Sequence, residues 1–169
     1  MYIRIKKRKT KLSIIEYAYE AKNVRTKKGP RQKIVSYLGK VHYLKNSGLI
    51  LPFYLSTDDI EGYFLNKGLK NTVEELLIFE LIRHGFYKNN KALLSNGLKV
   101  NLDDKTVINE NGGKLVLGIN KGYLCSKTLK KCFDDIENSS DTKKLIKSLL
   151  LIGLDPEESS FTQIFRHKI

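Results

Sequence analysis

Three stretches at the head of the chain read as strands: "YIRIKKRK" alternates at its start, "LSIIEYAYEA" is β-branched and aromatic, and "RQKIVSYLG" alternates again. In the last of them Lys33, Val35 and Tyr37 fall on one side of a two-residue period, with Gln32, Ile34, Ser36 and Leu38 on the other. A basic turn over residues 8–11 separates the first pair. A longer loop over residues 22–30, with a Gly29-Pro30 turn signal, separates the second. The pattern predicts a three-stranded antiparallel meander.

Past residue 45 the period changes. Residues 42–56 read as a linker in which Gly48 precedes the apolar "LILPFYL", itself containing Pro52, an extended segment crossing the core. Ser56-Thr57-Asp58-Asp59 opens a short helix over residues 57–67, its acids favoured in the first turn by the helix dipole, and Gly68 ends it. "NTVEELLIFELIRHGF" predicts a helix over residues 72–84. Asn71 and Glu74 make a capping-box start, Val73, Leu76, Leu77, Phe79 and Ile82 an apolar face, and Gly85 the stop. "LKVNL", "KTVIN" and "KLVLGIN", parted by Asp103-Asp104 and Asn111-Gly112-Gly113, predict a second meander over residues 98–119 with Leu115, Leu117 and Ile119 on one face.

A helix over residues 125–137 comes next, with Leu129, Cys132, Phe133 and Ile136 as its stripe. Another, over residues 142–152, starts after Asp141, turns Leu145, Ile146, Leu149, Leu150 and Ile152 inward and stops at Gly153. In the tail, Pro156 marks a helix start and Phe161, Ile164 and Phe165 recur at helical spacing, a half-exposed face suited to a partner. The predicted class is α+β: a basic meander (residues 1–45) and then a mixed helix, hairpin and helix unit (residues 46–169).

Charge sharpens this picture. The 169 residues carry a net +13, but residues 1–45 hold fourteen Lys and Arg against Glu16 and Glu20, a net +12, while residues 46–169 come to +1. So segregated a charge creates a local positive potential that attracts a polyanion, and nucleic acid is the leading partner. The candidate contacts are Arg4, Lys6, Arg8, Lys9, Lys11, Lys22, Arg25, Lys27, Lys28, Arg31, Gln32, Lys33, Tyr37 and Lys40. Lys27, Lys28, Arg31 and Lys33 would clasp phosphates, and Arg25 or Gln32 would reach a base edge if the hairpin entered a major groove. Tyr17, Tyr19 and Tyr37 would instead stack on unpaired bases, which favours RNA or single strands. A solvated edge sheet protected by lysines is the plain alternative.

"RQKIVSYLGKV", with Tyr17, Tyr19 and Glu20 ahead of it, resembles the short N-terminal segment of DDE-type insertion-sequence transposases, in which a tyrosine-rich strand, a basic turn and a "+RQ+xVxYLG+" strand precede the catalytic core. Similar segments open other prokaryotic proteins. The resemblance covers about residues 2–41 and implies a transferable DNA-binding module. The family's ribonuclease-H-like core, with three metal-binding acids, is much longer than the rest of this chain, so the resemblance implies no transposase. The Gly29-Pro30 loop also departs from the family's shorter turn.

Candidate chemistry is sparse. Asp58-Asp59, Asp103-Asp104 and Asp134-Asp135 read as a helix start, a turn and a solvated helix face, because neighbouring side chains point apart instead of converging on one ion. His42, His84 and His167 are scattered, Gly112-Gly113 makes a hairpin turn, and no nucleophile-base pattern stands out. Cys125 and Cys132 lie seven apart in a helix-like segment, stacked on one face as small core residues, with no zinc spacing. No apolar core succeeds the charged N-terminus, and no run of eighteen apolar residues occurs. The sequence therefore predicts a non-enzymatic cytoplasmic protein without metal, cofactor or membrane association, working at the nucleoid or a ribosome. DNA is favoured over RNA, and residues 46–169 offer a surface for self-association or a protein partner.

Overall fold

A computed structural model describes residues 2–46, 60–138 and 140–154. The class is α+β, and the described residues build two sheets and three helices. Strands β1 (Tyr2–Lys9), β2 (Ile14–Thr26) and β3 (Gly29–Tyr43) form the antiparallel N-terminal meander. Helix α1 (Ile60–Arg83) leads to four short strands, β4 (Tyr87–Asn89), β5 (Ala92–Ser95), β6 (Leu98–Asn101) and β7 (Thr106–Asn109), which make a separate antiparallel sheet. Strands β8 (Leu115–Ile119) and β9 (Gly122–Leu124) then return to the first sheet, and α2 (Ser126–Asn138) and α3 (Thr142–Ile152) complete the described fold.

The return of β8 corrects the meander expected over residues 98–119. Only β6 and β7 of that stretch pair as a hairpin, joined by the unanticipated β4 and β5. One isolated bridge, Ile108 to Lys114, ties β7 to the residue just before β8. β8 instead runs parallel to β3, Lys40 opposite Leu115 and Val41 opposite Val116, giving the order β1-β2-β3-β8-β9. All five residues of β8 are buried, which a strand of an exposed two-stranded hairpin would not allow. The basic segment and the remainder therefore share one hydrogen-bonded sheet across residue 45.

Gly39, of the "YLG" triplet, permits that junction. Its φ is 148°, and a Cβ there would lie 2.7 Å from both the backbone nitrogen of Leu115 and the carbonyl oxygen of Lys114. Only a residue without a side chain lets β8 approach so closely.

The main core gathers Val73, Leu77 and Leu81 of α1, Val100 and Val107 of the small sheet, Leu115, Leu117 and Ile119 of β8, and Leu129, Phe133, Leu149 and Ile152 of the last two helices. Leu81, absent from the predicted apolar face, is fully buried within it. A smaller cluster of Ala18, Leu38, Val41, Val116 and Cys125, with Ile3, Ile5 and Tyr123 against it, seats the meander on the rest.

Several local expectations change. α1 spans both predicted helices, broken by non-helical backbone at Gly68, and Asn71 donates its side-chain amide to the Lys67 carbonyl 3.0 Å away, a bond within the helix and not a cap. In α3 the Asp141 cap and the Gly153 stop are as expected, but Leu150 points outward and Ser148 is buried in its stead. Cys125 precedes α2 and joins the small cluster, whereas Cys132 sits in the main core, where burial pushes its thiol up to about 12.

Asp134 is exposed as expected, but Asp135 is not. It is buried between α2 and α3, accepting from Lys131, Ser148 and, at 3.0 Å, Lys144. Burial alone would raise its carboxyl, but those three donors outweigh that effect and hold it at about 2. The segment "LILPFYL", Asp58-Asp59, His167 and the aromatic tail lie outside the described residues. Among the described residues, no helix is long and apolar enough to cross a membrane.

Candidate nucleic-acid interface

Residues paired across a sheet share a face, so the register sorts the meander's side chains. Glu16 and Glu20, the two acids of residues 1–45, share the packed face with Ile3, Ile5 and Ala18. Glu16 accepts from Tyr43 and from Lys7 at 3.0 Å, and these bonds hold its carboxyl below the usual range. Glu20 accepts from Lys127 and from Ser36 at 2.9 Å, and its carboxyl is lowered chiefly by Lys127. The opposite face, carrying Arg4, Lys6, Arg8, Tyr17, Tyr19, Tyr37 and Lys40, receives neither acid.

Two irregularities in β3 build that open face. Register shifts opposite Ala18/Tyr19 and Glu20/Ala21 leave Leu38 and Val35 as extra residues, each a β-bulge. They break the alternation expected for "RQKIVSYLG": Gln32 and Ile34 come to the same side as Tyr37, Lys33 and Ser36 to the other, and Leu38 is 6% exposed in the small cluster. Tyr37 consequently lies between Tyr17 and Tyr19, ring centroids 6.3 and 5.5 Å away and tilted by 50° and 55°. Burial, then its two tyrosine neighbours, raises its phenol. Lys6 sits 5.1 Å over the ring of Tyr19, and Gln32 accepts from Arg4 at 3.0 Å, engaged on the sheet instead of projecting from a loop.

The expected loop over residues 22–30 is strand for most of its length. Lys22 pairs with Lys33, Asn23 with Gln32, Val24 with Arg31 and Arg25 with Pro30, and only Lys27 and Lys28 form the turn. Gly29 closes it at φ 101°, and the Thr26 hydroxyl donates to the Gly29 carbonyl at 2.8 Å. The β-branched Val24 and Thr26 favour this extension over an open loop. Because β1 pairs no further than Ala21, residues 22–33 extend as a two-stranded ribbon, whose open edges tolerate Pro30.

On that ribbon Lys22, Arg25, Lys27, Lys28, Arg31 and Lys33 are all exposed and make no ion pair with any described residue. Lys22 and Lys33 are directly opposite, a like-charge pairing that costs stability. Lys9 ends β1 and Lys11 lies in the β1–β2 turn beside Leu12, which is 98% exposed. Tyr17 and Tyr19, expected only as stacking residues for unpaired bases, join Tyr37 on the open face, a position legible from their i, i+2 spacing in β2. Elsewhere His84 is buried, its Nδ1 2.8 Å from the Glu80 carbonyl oxygen, and the half-buried His42 is held below its usual pKa by burial and then Lys40. Neither faces a cluster of metal-ligating groups among the described residues. No protein-family model, curated protein or solved structure matches the chain.

Proposed function

We propose that this protein binds nucleic acid without catalysing a reaction on it, gripping the phosphate backbone through the residue 22–33 ribbon, with duplex DNA the preferred partner. The observation that carries this reading is the six ribbon cations that make no ion pair with a described residue, combined with the turning of Glu16 and Glu20 to the packed face. A sheet protected only for solubility gains nothing from opposing Lys22 to Lys33, whereas a phosphate placed between them converts that repulsion into binding. A two-stranded ribbon also has the width that a major groove admits. Arg25, at the ribbon's outer half, is the side chain suited to a base edge, and the lysines act as point charges on the backbone. Such a protein would work at the nucleoid, or on a ribosome if the polyanion is RNA.

The test is binding of the full chain to duplex DNA across a salt series. If about five phosphates are neutralised, the log–log slope is roughly −4 to −5, and Lys27→Gln, Lys28→Gln, Arg31→Gln and Lys33→Gln together flatten it and weaken binding to every sequence alike. A salt-insensitive wild type would overturn the proposal.

A further inference from the structure

We infer that the open face of the β1–β3 sheet is a stacking platform for unpaired bases of single-stranded nucleic acid, centred on Tyr37 and distinct from the ribbon. This deepens, and rests on, the nucleic-acid reading. Tyr17, Tyr19 and Tyr37 border a concavity of about 550 Å³ that is flanked by Lys6, Lys7 and Arg8. That size falls within the roughly 300–1,000 Å³ of small-molecule sites.

The rings are not core residues that happen to lie near the surface. Tyr37 is 42% exposed, and the hydroxyls of all three bond no described residue, whereas Tyr2 donates to Asn23 and Tyr43 to Glu16. The bulge at Leu38 is what brings Tyr37 to this face, at the expense of one regular ladder position. The mutual tilts keep the rings from stacking flat on each other, so ring surface remains for a third planar group.

Charge selects what that group is. An apolar partner would gain from the rings but meet Arg4, Lys6, Arg8 and Lys40 around them with no acid on the face. A nucleotide satisfies both, its base on the tyrosines and its phosphates on the cations. In a duplex the base faces are already stacked on one another, so the platform requires a strand whose bases are free.

The experiment measures binding of the full-length protein to a dT oligomer, a rU oligomer and a matched DNA duplex at one salt concentration, for the wild type, Tyr37→Ala and Tyr37→Phe. Tyr37→Ala should lose about tenfold on single strands, the effect of one stacked base, with little change on the duplex, while Tyr37→Phe keeps the ring and the affinity. The dT and rU arms distinguish a deoxyribose from a ribose strand. Unchanged melting temperature in Tyr37→Ala excludes a folding defect. An equal loss on all three ligands, or no loss on single strands, overturns the platform while leaving salt-dependent duplex binding intact. Failure of the wild type to bind any of the three overturns the nucleic-acid reading itself.

Discussion

Lys22→Glu separates a cation kept for a ligand from one kept for the fold. Lys22 stands opposite Lys33 and makes no ion pair with a described acid, so the substitution replaces a repulsive cross-strand pair with an attractive one. Cross-strand charge pairs are worth about 0.2–1 kcal/mol, and the exposure of both side chains places this one at the lower end. At roughly 2–4 °C per kcal/mol for a chain of this size, the melting temperature should rise by about 1 °C. Binding should move the other way. One phosphate contact is lost, making the salt slope shallower by about 0.9, and the new carboxylate repels the backbone further. Differential scanning calorimetry and a fluorescence-anisotropy salt series on the same preparation read both effects. A fall in melting temperature would show that Lys22 supports the ribbon's structure, and a gain in stability with unchanged slope would remove it from the interface; either refutes the reasoning.

Two further substitutions test the junctions behind the interface. Gly39→Ala should cost on the order of 3 kcal/mol or more, since the methyl group would strike the backbone of Lys114 and Leu115 from a left-handed φ, and hydrogen exchange should then show β8 amides opening before those of α2. Asp135→Asn should remove about 2 kcal/mol at pH 7. Because the folded carboxyl, at about 2, lies below its ordinary 3.8, its contribution is present above pH 4 and lost as pH falls through 2, so denaturation curves of wild type and variant should converge over that window. Parallel curves from pH 7 to pH 2 would show that the charge contributes nothing.

What the sequence determined by itself was local. The three basic strands, the helices expected to end at residues 84, 137 and 152 and found to end at Arg83, Asn138 and Ile152, the Asp141 cap and the Gly153 stop all stem from side-chain period and from backbone preferences that act within a few residues. The segregation of charge into residues 1–45 was equally plain, because it needs only counting. The tertiary structure decided what touches what. β8 has the apolar run of any buried strand, and nothing near it in sequence says that its partner is β3, some 75 residues earlier, and not β7. The two bulges are likewise invisible, since an extra residue in β3 is defined only by the strand opposite. Yet the one at Leu38 decides that Tyr37 joins Tyr17 and Tyr19, and that Leu38 goes inward. Asp135 obeyed the same logic: its neighbour Asp134 is solvated, and only the packing of α3 against α2 brings Ser148 and Lys144 to bury and hold its charge. Period fixes which face a residue occupies on its own element. Only the packing of distant elements fixes whether that face meets water, a core or a ligand.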